Sequence, residues 1–287
     1  MLGEGPLDQA RLVAAACRLR LPRQSKGRPL ILNLKLGARR TPYWVCDLSH
    51  LYNLDEVWVR AEYELIAHGE YHLILHLGAN VGAASIWLHE RHPDAQILAV
   101  EPDPLIAPLL RRNTQPFERI TVVQAAVGVE EGIAQLRSGQ FSWHSSIVGD
   151  EASEAAAGIS VVRTSTVKVT TIPALLRDVG LPSNAKVLAK MDVEGSEWAL
   201  LRQPDALRQL SEIYGETHAV GAPADPDSFL RRASTAAGFE RVDAGQGFVH
   251  WRRPPDRCFV ASPTDSCHLA RPFTDLSPLD DAADATH

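Results

Sequence analysis

His76-Leu77-Gly78-Ala79-Asn80-Val81-Gly82-Ala83-Ala84-Ser85 joins an apolar pentapeptide, LILHL (73–77), to a stretch of helical periodicity from Ala83 to Arg91. Glycines at 78 and 82 permit a tight turn and let a ligand approach the backbone, while the N-terminus of the helix offers unpaired N–H groups. The next apolar run, QILAVE (96–101), ends on Glu101. A carboxylate at that strand end can accept hydrogen bonds from both hydroxyls of a ribose. Turn, helix and strand-end acid together predict a nucleoside-containing cofactor.

The glycine spacing chooses between two cofactor classes. A dinucleotide site wants G-x-G-x-x-G to seat a pyrophosphate. Here it is G-x-x-x-G, with Asn80 where the second glycine would stand. That disfavours NAD and favours S-adenosylmethionine, which has no phosphate to cradle.

Outward from this turn, short apolar runs alternate with helical stretches. Strands are expected at LILHL, QILAVE, RITVVQAAV (119–127), VKVTTI (167–172), KVLAKMDV (186–193) and EIYGETHAV (212–220). Helices are expected at Ala83–Arg91, Pro104–Asn113, Ala174–Val179, Glu197–Arg202 and Asp227–Ala237. FERV (239–242) and FVHW (248–251) read as a closing antiparallel hairpin across an Ala-Gly-Gln-Gly turn. Apolar strands alternating with helices make an α/β fold, a mostly parallel sheet with helices on both faces.

Before this unit, residues 8–20 have helical spacing, PLILNLKLG (29–37) alternates like a strand with YWVCDL (43–48) as partner, and 55–69 looks helical. Residues 253–287 show no periodicity and read as a Pro/Asp-rich tail. The expected division is an accessory segment at 1–54, a catalytic domain at 55–252 and the tail at 253–287. The first segment is a candidate lid or a surface pairing two copies as a homodimer.

Composition bounds the rest. The chain has 287 residues, 45% hydrophobic and 22% charged, with mean hydropathy -0.12. These values exclude a disordered chain, a collagenous repeat and a membrane bundle. Nine Lys/Arg against two Asp/Glu in the first forty residues give a basic arm, which reads as a solvated helix and connector more readily than as a nucleic-acid site. The four cysteines have no metal-ligand spacing and suit a reducing cytosol. No signal peptide is visible, and the run Tyr71–Leu88 is broken by His72, His76, Gly78, Asn80 and Gly82, so a cytoplasmic protein without a membrane span is expected.

LGANVG (77–82), VEPDP (100–104), LLRRN (109–113), AAVG (125–128), SWHSS (142–146), KMDVEGSE (190–197), GETH (215–218) and Gly238-Phe239 together resemble the FkbM-type family of S-adenosylmethionine-dependent methyltransferases. The resemblance runs from about Asp55 to Trp251. It implies a Rossmann-like class I methyltransferase with a seven-stranded sheet, often methylating a hydroxyl of a sugar or natural product. It further implies that Gly78, Asn80 and Gly82 line the methionine part of the cofactor and that Glu101, with Pro102, holds the ribose. Ala126 would border the adenine, and Ser142 to Ser146 would close over it. The family usually has Asp where this chain has His76, near the cofactor's amino group, so there the charge match to the ammonium is lost.

Methyl transfer is an in-line displacement in which the enzyme positions the nucleophile and removes its proton. Two polar pairs are placed beyond strand ends, Asp192/Glu194 and Glu216/His218. Alternation along an extended strand would turn each pair to one pocket. Two mechanisms follow: His218 as base with a carboxylate steadying it, or Asp192 and Glu216 binding Mg²⁺, as some relatives in this family are metal-dependent. The alternative reading has Glu194 capping the next helix and His218 merely packing. His144 and Lys190 are candidate substrate contacts, whereas His89 and His92 read as solvent-facing. Enzymes acting on amides and bases typically carry N/D-P-P-Y/F after the fourth strand, where this chain has DVEG, so nucleic-acid substrates are not expected. A small-molecule O-methyltransferase is the expectation. An N-methyltransferase on a small amine, an NAD-dependent oxidoreductase and a non-catalytic nucleotide-binding protein are the alternatives.

Overall fold

The computed structural model describes residues 29–139, 145–149, 158, 160–177, 179–182, 184–242, 245 and 247–254. The expected N-terminal helix, Ser142, His144 and nearly all of the tail lie outside them.

Every residue of β3 (Leu73–Leu77) is buried, which is how a strand covered on both faces reads. It lies in the middle of a seven-stranded sheet. On one side it pairs in parallel with β4 (Gln96–Val100), which pairs with β5 (Ile120–Val123); on the other it pairs with β10 (Val187–Met191), then β11 (Glu212–Glu216). β13 (Phe248–Arg252) runs antiparallel to β11, and β12 (Glu240–Arg241) antiparallel to β13. The spatial order is β12-β13-β11-β10-β3-β4-β5. Strand order therefore reverses between β3 and β10, so their carboxyl ends flank the crevice in which doubly wound sheets bind ligands.

Alternation sorts the strand residues into two cores. Leu73, Leu75 and Leu77, with Val187, Ala189 and Met191, pack with α4 (Ile172–Arg177), α5 (Glu197–Leu200) and α6 (Pro226–Ala236). Ile74 and Leu188 face α1 (Ser49–Trp58) and α2 (Ala83–Arg91) on the other side. α3 (Ala107–Thr114) contributes Leu109 to this second core, and the hairpin of β1 (Leu30–Leu36) and β2 (Arg39–Val45) closes it with Leu32, Leu34, Leu36, Tyr43 and Val45. The hairpin and α1, which spans residue 54, thus pack directly on the sheet's helical layer. Each fully buried leucine here is worth about 1.5–3 kcal/mol.

The structure departs from the sequence expectation at residues 119–127, 167–172 and 55–69 and at His89 and His92. The run 119–127 is two strands: β5 stays in the main sheet, while β6 (Ala126–Val127) pairs with β9 (Val161–Thr170) in a second, four-stranded sheet. β7 (Gly132–Gly139) and β8 (Ser145–Ser146) complete it. Residues 55–69 hold only the end of α1 and a 3-10 turn, Glu64–Ile66, because Ala61 takes a left-handed φ of 56°. His92 is buried, its Nε2 2.9 Å from the Ile66 carbonyl, and His89 is half-buried against Phe117, so neither faces solvent freely. Among the described residues, no helix is long and apolar enough to cross a membrane.

Candidate active site

The turn after β3 is built on backbone geometry that few residues accept. Gly78 has φ 81°, and a Cβ there would stand 1.7 Å from the Asp192 carbonyl oxygen. Only glycine fits, because the obstacle is the backbone of the neighbouring strand's exit. The Gly78 and Ala79 amides both donate to the Val100 carbonyl, at 3.0 and 2.9 Å. Asn80, also left-handed at φ 48°, accepts from the Val81 amide through Oδ1 at 2.8 Å, the local bonding that lets Asn occupy this region. Gly82 caps α2 with φ 95°, and its absent side chain leaves room for Leu110 and Thr114 of α3.

Glu101 is the acid of this turn. Oε2 accepts from the Asn80 amide at 2.8 Å and Oε1 from the Asp103 amide at 2.9 Å. Burial raises its carboxyl to about 7, against the lowering effect of those two amide donors. Asp103 in turn accepts from Ser138 of β7 at 3.1 Å and pairs with Arg163 of β9, which ties the second sheet to the rim of the site.

An open cleft runs along these strand ends. It is lined by Gly78, Asn80, Glu101, Pro102 and Ala126, by Leu136 and Ser145 of the second, smaller sheet and Ile147 just past its last strand, and by Asp192, Glu194 and Glu216. Asn53 and Glu56 of α1 form part of its wall, a contribution that no motif announced. One end therefore presents a ribose-type acid and an apolar wall, and the other a group of carboxylates.

The carboxylate end is assembled by turns, not by strand alternation: β10 stops at Met191 and β11 at Glu216. Asp192 donates its amide to the Leu77 carbonyl at 2.9 Å, and Glu194 adopts φ 49°. Glu197, fully buried, organises the turn. It accepts from the Gly195 amide at 2.8 Å, from the His218 amide at 2.7 Å, and lies 3.2 Å from His218 Nδ1. Glu197, not Glu194, thus takes the Gly195 amide, while the N-cap residue of α5, Ser196, makes no side-chain cap bond. The signal of Glu197 was in the motif, but its partner is 21 residues away in sequence. His218 Nε2 stands 3.6 Å from both Asp192 Oδ1 and Glu194 Oε2.

This surrounding sets protonation. Burial opposes charge on His218, but the hydrogen bond to Glu197 and the charges of Glu194 and Asp192 prevail and raise it to about 10. Glu194 is raised to about 8 by burial, with Asp192, Glu216 and Glu197 adding to the rise. Glu216 is likewise raised to about 8, by burial and then by Asp192. At neutral pH His218 is an imidazolium, so the expectation that it takes the acceptor proton does not fit this arrangement.

Two expected residues lie behind the cleft. His76 shares the α1–α2 face with its register partner Lys190; it is buried, with Nδ1 2.7 Å from Ser85 Oγ, and burial holds it well below 6.5. It is a neutral packing group and does not line the cleft. Lys190 is 1% exposed, sits 4.9 Å from the centre of the Tyr63 ring and reaches Asp192 Oδ2 at 3.4 Å, so it touches the site only through Asp192. The three donors that converge to within 4.8 Å are Asp192, Glu194 and His218; Glu216, expected to pair with Asp192 around a metal, is not among them.

A seven-stranded sheet with this order, and a cleft carrying a glycine turn, a strand-end acid and no pyrophosphate cradle, define a class I S-adenosylmethionine-dependent methyltransferase. The model of the methyltransferase FkbM domain matches residues 76–240, more than half of the chain, and the chain belongs to that family. No curated protein matches it. Similar solved structures include precorrin-6y C5,15-methyltransferase from Geobacter metallireducens (15% identity, 68% of this chain and 85% of that one, TM-score 0.36). Aeropyrum pernix fibrillarin with natively bound S-adenosyl-L-methionine is 12% identical over 66% of this chain and 74% of that one, with TM-score 0.37. A putative O-methyltransferase from Klebsiella pneumoniae is 15% identical over 88% and 92%, with TM-score 0.33.

Proposed function

We propose that this methyltransferase moves the methyl group of S-adenosylmethionine to a hydroxyl of a small molecule. The observation that carries the reading is the continuity of one cleft from the Gly78–Glu101 cofactor end to Asp192, Glu194 and Glu216. Glu101 holds the ribose, and the apolar wall of Ala126, Leu136 and Ile147 takes the adenine. With His218 charged, proton removal falls to a cleft carboxylate; Glu194 and Glu216, both raised to about 8, are the candidates, each able to act in its ionised fraction, which grows as pH rises through about 8. Asp192, fixed by Lys190 and His218, orients the acceptor. No Lys or Arg is among the described residues lining the cleft, which disfavours a phosphate backbone as substrate.

A second reading concerns a metal, whose binding would displace the proton that His218 otherwise carries. His218 Nε2 faces two carboxylates while its Nδ1 is held by a buried acid, the outer partner that metal-bound imidazoles have. The set Asp192, Glu194 and His218 fits a divalent cation of the manganese or zinc type better than Mg²⁺, which favours oxygen ligands. Such an ion, when bound, would acidify the acceptor hydroxyl.

The test is release of S-adenosylhomocysteine against matched sets of polyols and small amines, with and without EDTA. Turnover of polyols that Asp192→Ala abolishes supports the proposal. Turnover of the amines alone would replace it with N-methylation, and insensitivity to EDTA would dismiss the metal.

A further inference from the structure

Most of the cleft is built by residues 76–240, but part of its wall comes from α1, which precedes the family-matched stretch. Helical spacing divides α1 into three faces. Leu54 and Val57 are buried in the core that α1 shares with α2, and Trp58 Nε1 fixes the end of the helix by donating to the Ala83 carbonyl at 3.3 Å. Tyr52 and Val59 are exposed, and Asp55 is engaged by Arg60 at 2.8 Å. Asn53 and Glu56 make the third face, and both line the cleft. They stand three residues apart, so their Cβ atoms are neighbours at about 5–6 Å.

Both are half-buried, and among the described residues neither side chain has a hydrogen-bond or ion-pair partner. Other polar groups of the cleft are engaged: Glu101 accepts from two amides, and Asp192 and Glu194 share His218. Two polar heads held side by side in a cleft wall, on a helix anchored by its opposite face, call for a partner from outside the chain. Asp192 is the cleft acid whose charge reaches Glu56, which puts this face at the acceptor end. The Asn53 carboxamide both donates and accepts. Burial, and then the charge of Glu62, raises the Glu56 carboxyl toward its protonated form, which also does both. A hydroxyl has the same two capacities, whereas an ammonium offers no acceptor for the Asn53 N–H groups and a carboxylate no donor for its carbonyl.

We propose that Asn53 and Glu56 are specificity-determining residues that select a neutral acceptor with at least two hydroxyls, one presented for methylation at Asp192 and its neighbour held between the two side chains. The inference rests on the hydroxyl-methyltransferase reading of the same cleft and narrows its acceptor from any hydroxyl to a polyol. It assigns that choice to a helix outside the family-matched residues.

The probes are cyclohexanol and the trans vicinal cyclohexanediol, neutral rings that differ by one hydroxyl. Each is titrated by ligand-observed NMR against the full chain saturated with S-adenosylhomocysteine. The diol is expected to bind about tenfold more tightly, the scale of two net hydrogen bonds. Asn53→Ala and Glu56→Ala should each reduce that preference at least about threefold. Glu56→Gln, whose carboxamide donates and accepts like a protonated carboxyl, should retain it. A purely structural role for α1 would weaken both rings equally. Equal affinities or no binding of either ring in the wild type, a preference that neither alanine variant moves, or one that Glu56→Gln abolishes would overturn the inference. Failure of the wild type to bind S-adenosylhomocysteine would instead strike the cofactor reading beneath it.

Discussion

Glu197→Gln removes a charge from the carboxylate end of the cleft while keeping the shape of the side chain. Glu197 is fully buried and serves two backbone amides as well as the His218 ring. The amide oxygen of Gln can still accept one or two of these bonds, so the turn should survive. What is lost is the charge that, with its hydrogen bond, does most to raise His218 to about 10. A displacement from 6.5 to about 10 corresponds to roughly 5 kcal/mol of preference for the charged ring, at about 1.4 kcal/mol per decade of proton affinity. Because the folded value is raised, this stabilisation is complete below pH 6.5 and is lost as pH rises through about 10. Chemical denaturation of the wild type from pH 6 to 10.5 should show stability declining across that window. In Glu197→Gln the total should fall by about 2–3 kcal/mol, a large part of the cost of breaking a buried ionic bond, and the decline should begin at lower pH. NMR titration of the His218 ring reads the same quantity directly. A His218 that titrates near 6.5 in the wild type, or that is unmoved by Glu197→Gln, would refute the reasoning.

Gly78→Ala forces a Cβ against the Asp192 carbonyl at a positive φ; it should lower stability by about 3 kcal/mol or more and abolish binding of S-adenosylhomocysteine, measured by denaturation and calorimetry. At the opposite end of β11, Glu212 accepts from Tyr71 and Arg252 at 2.8 Å and lies 2.6 Å from His250, and these bonds hold its carboxyl at about 2 despite burial. Its contribution is present above the ordinary carboxylate range and is lost as pH falls through about 2; Glu212→Gln should cost about 3 kcal/mol at pH 7 and flatten that acid loss. His76→Asp, which restores the residue the family resemblance expects, would bury a carboxylate beside Ser85 on the α1–α2 face. It should destabilise the fold by about 2 kcal/mol or more rather than tighten the cofactor, as thermal unfolding with and without ligand would show.

The sheet was legible because its central strands are short, mostly apolar runs, each with one polar residue, and its turn needs glycine at Gly78. The second sheet was not. RITVVQAAV is one apolar run, and periodicity cannot see that Val123 and Ala126 have neighbours in different sheets. Asp192, Glu194, Glu216 and His218 were legible as polar residues beyond strand ends, but what joins them is the pair of turns after β10 and β11, organised by Glu197. His76 misleads for a related reason: a strand buried on both faces gives no sign of which one a polar residue joins. Asn53 and Glu56 carry no motif; the packing of α1 on α2 brings them to the cleft.

The central claim is that the cleft between β3, β4 and β10 binds S-adenosylmethionine. Thermal-shift titration with S-adenosylhomocysteine and, separately, with NAD tests it most directly. Saturable stabilisation by the former alone, lost in Glu101→Ala, is the predicted result; stabilisation by NAD and none by S-adenosylhomocysteine would contradict it.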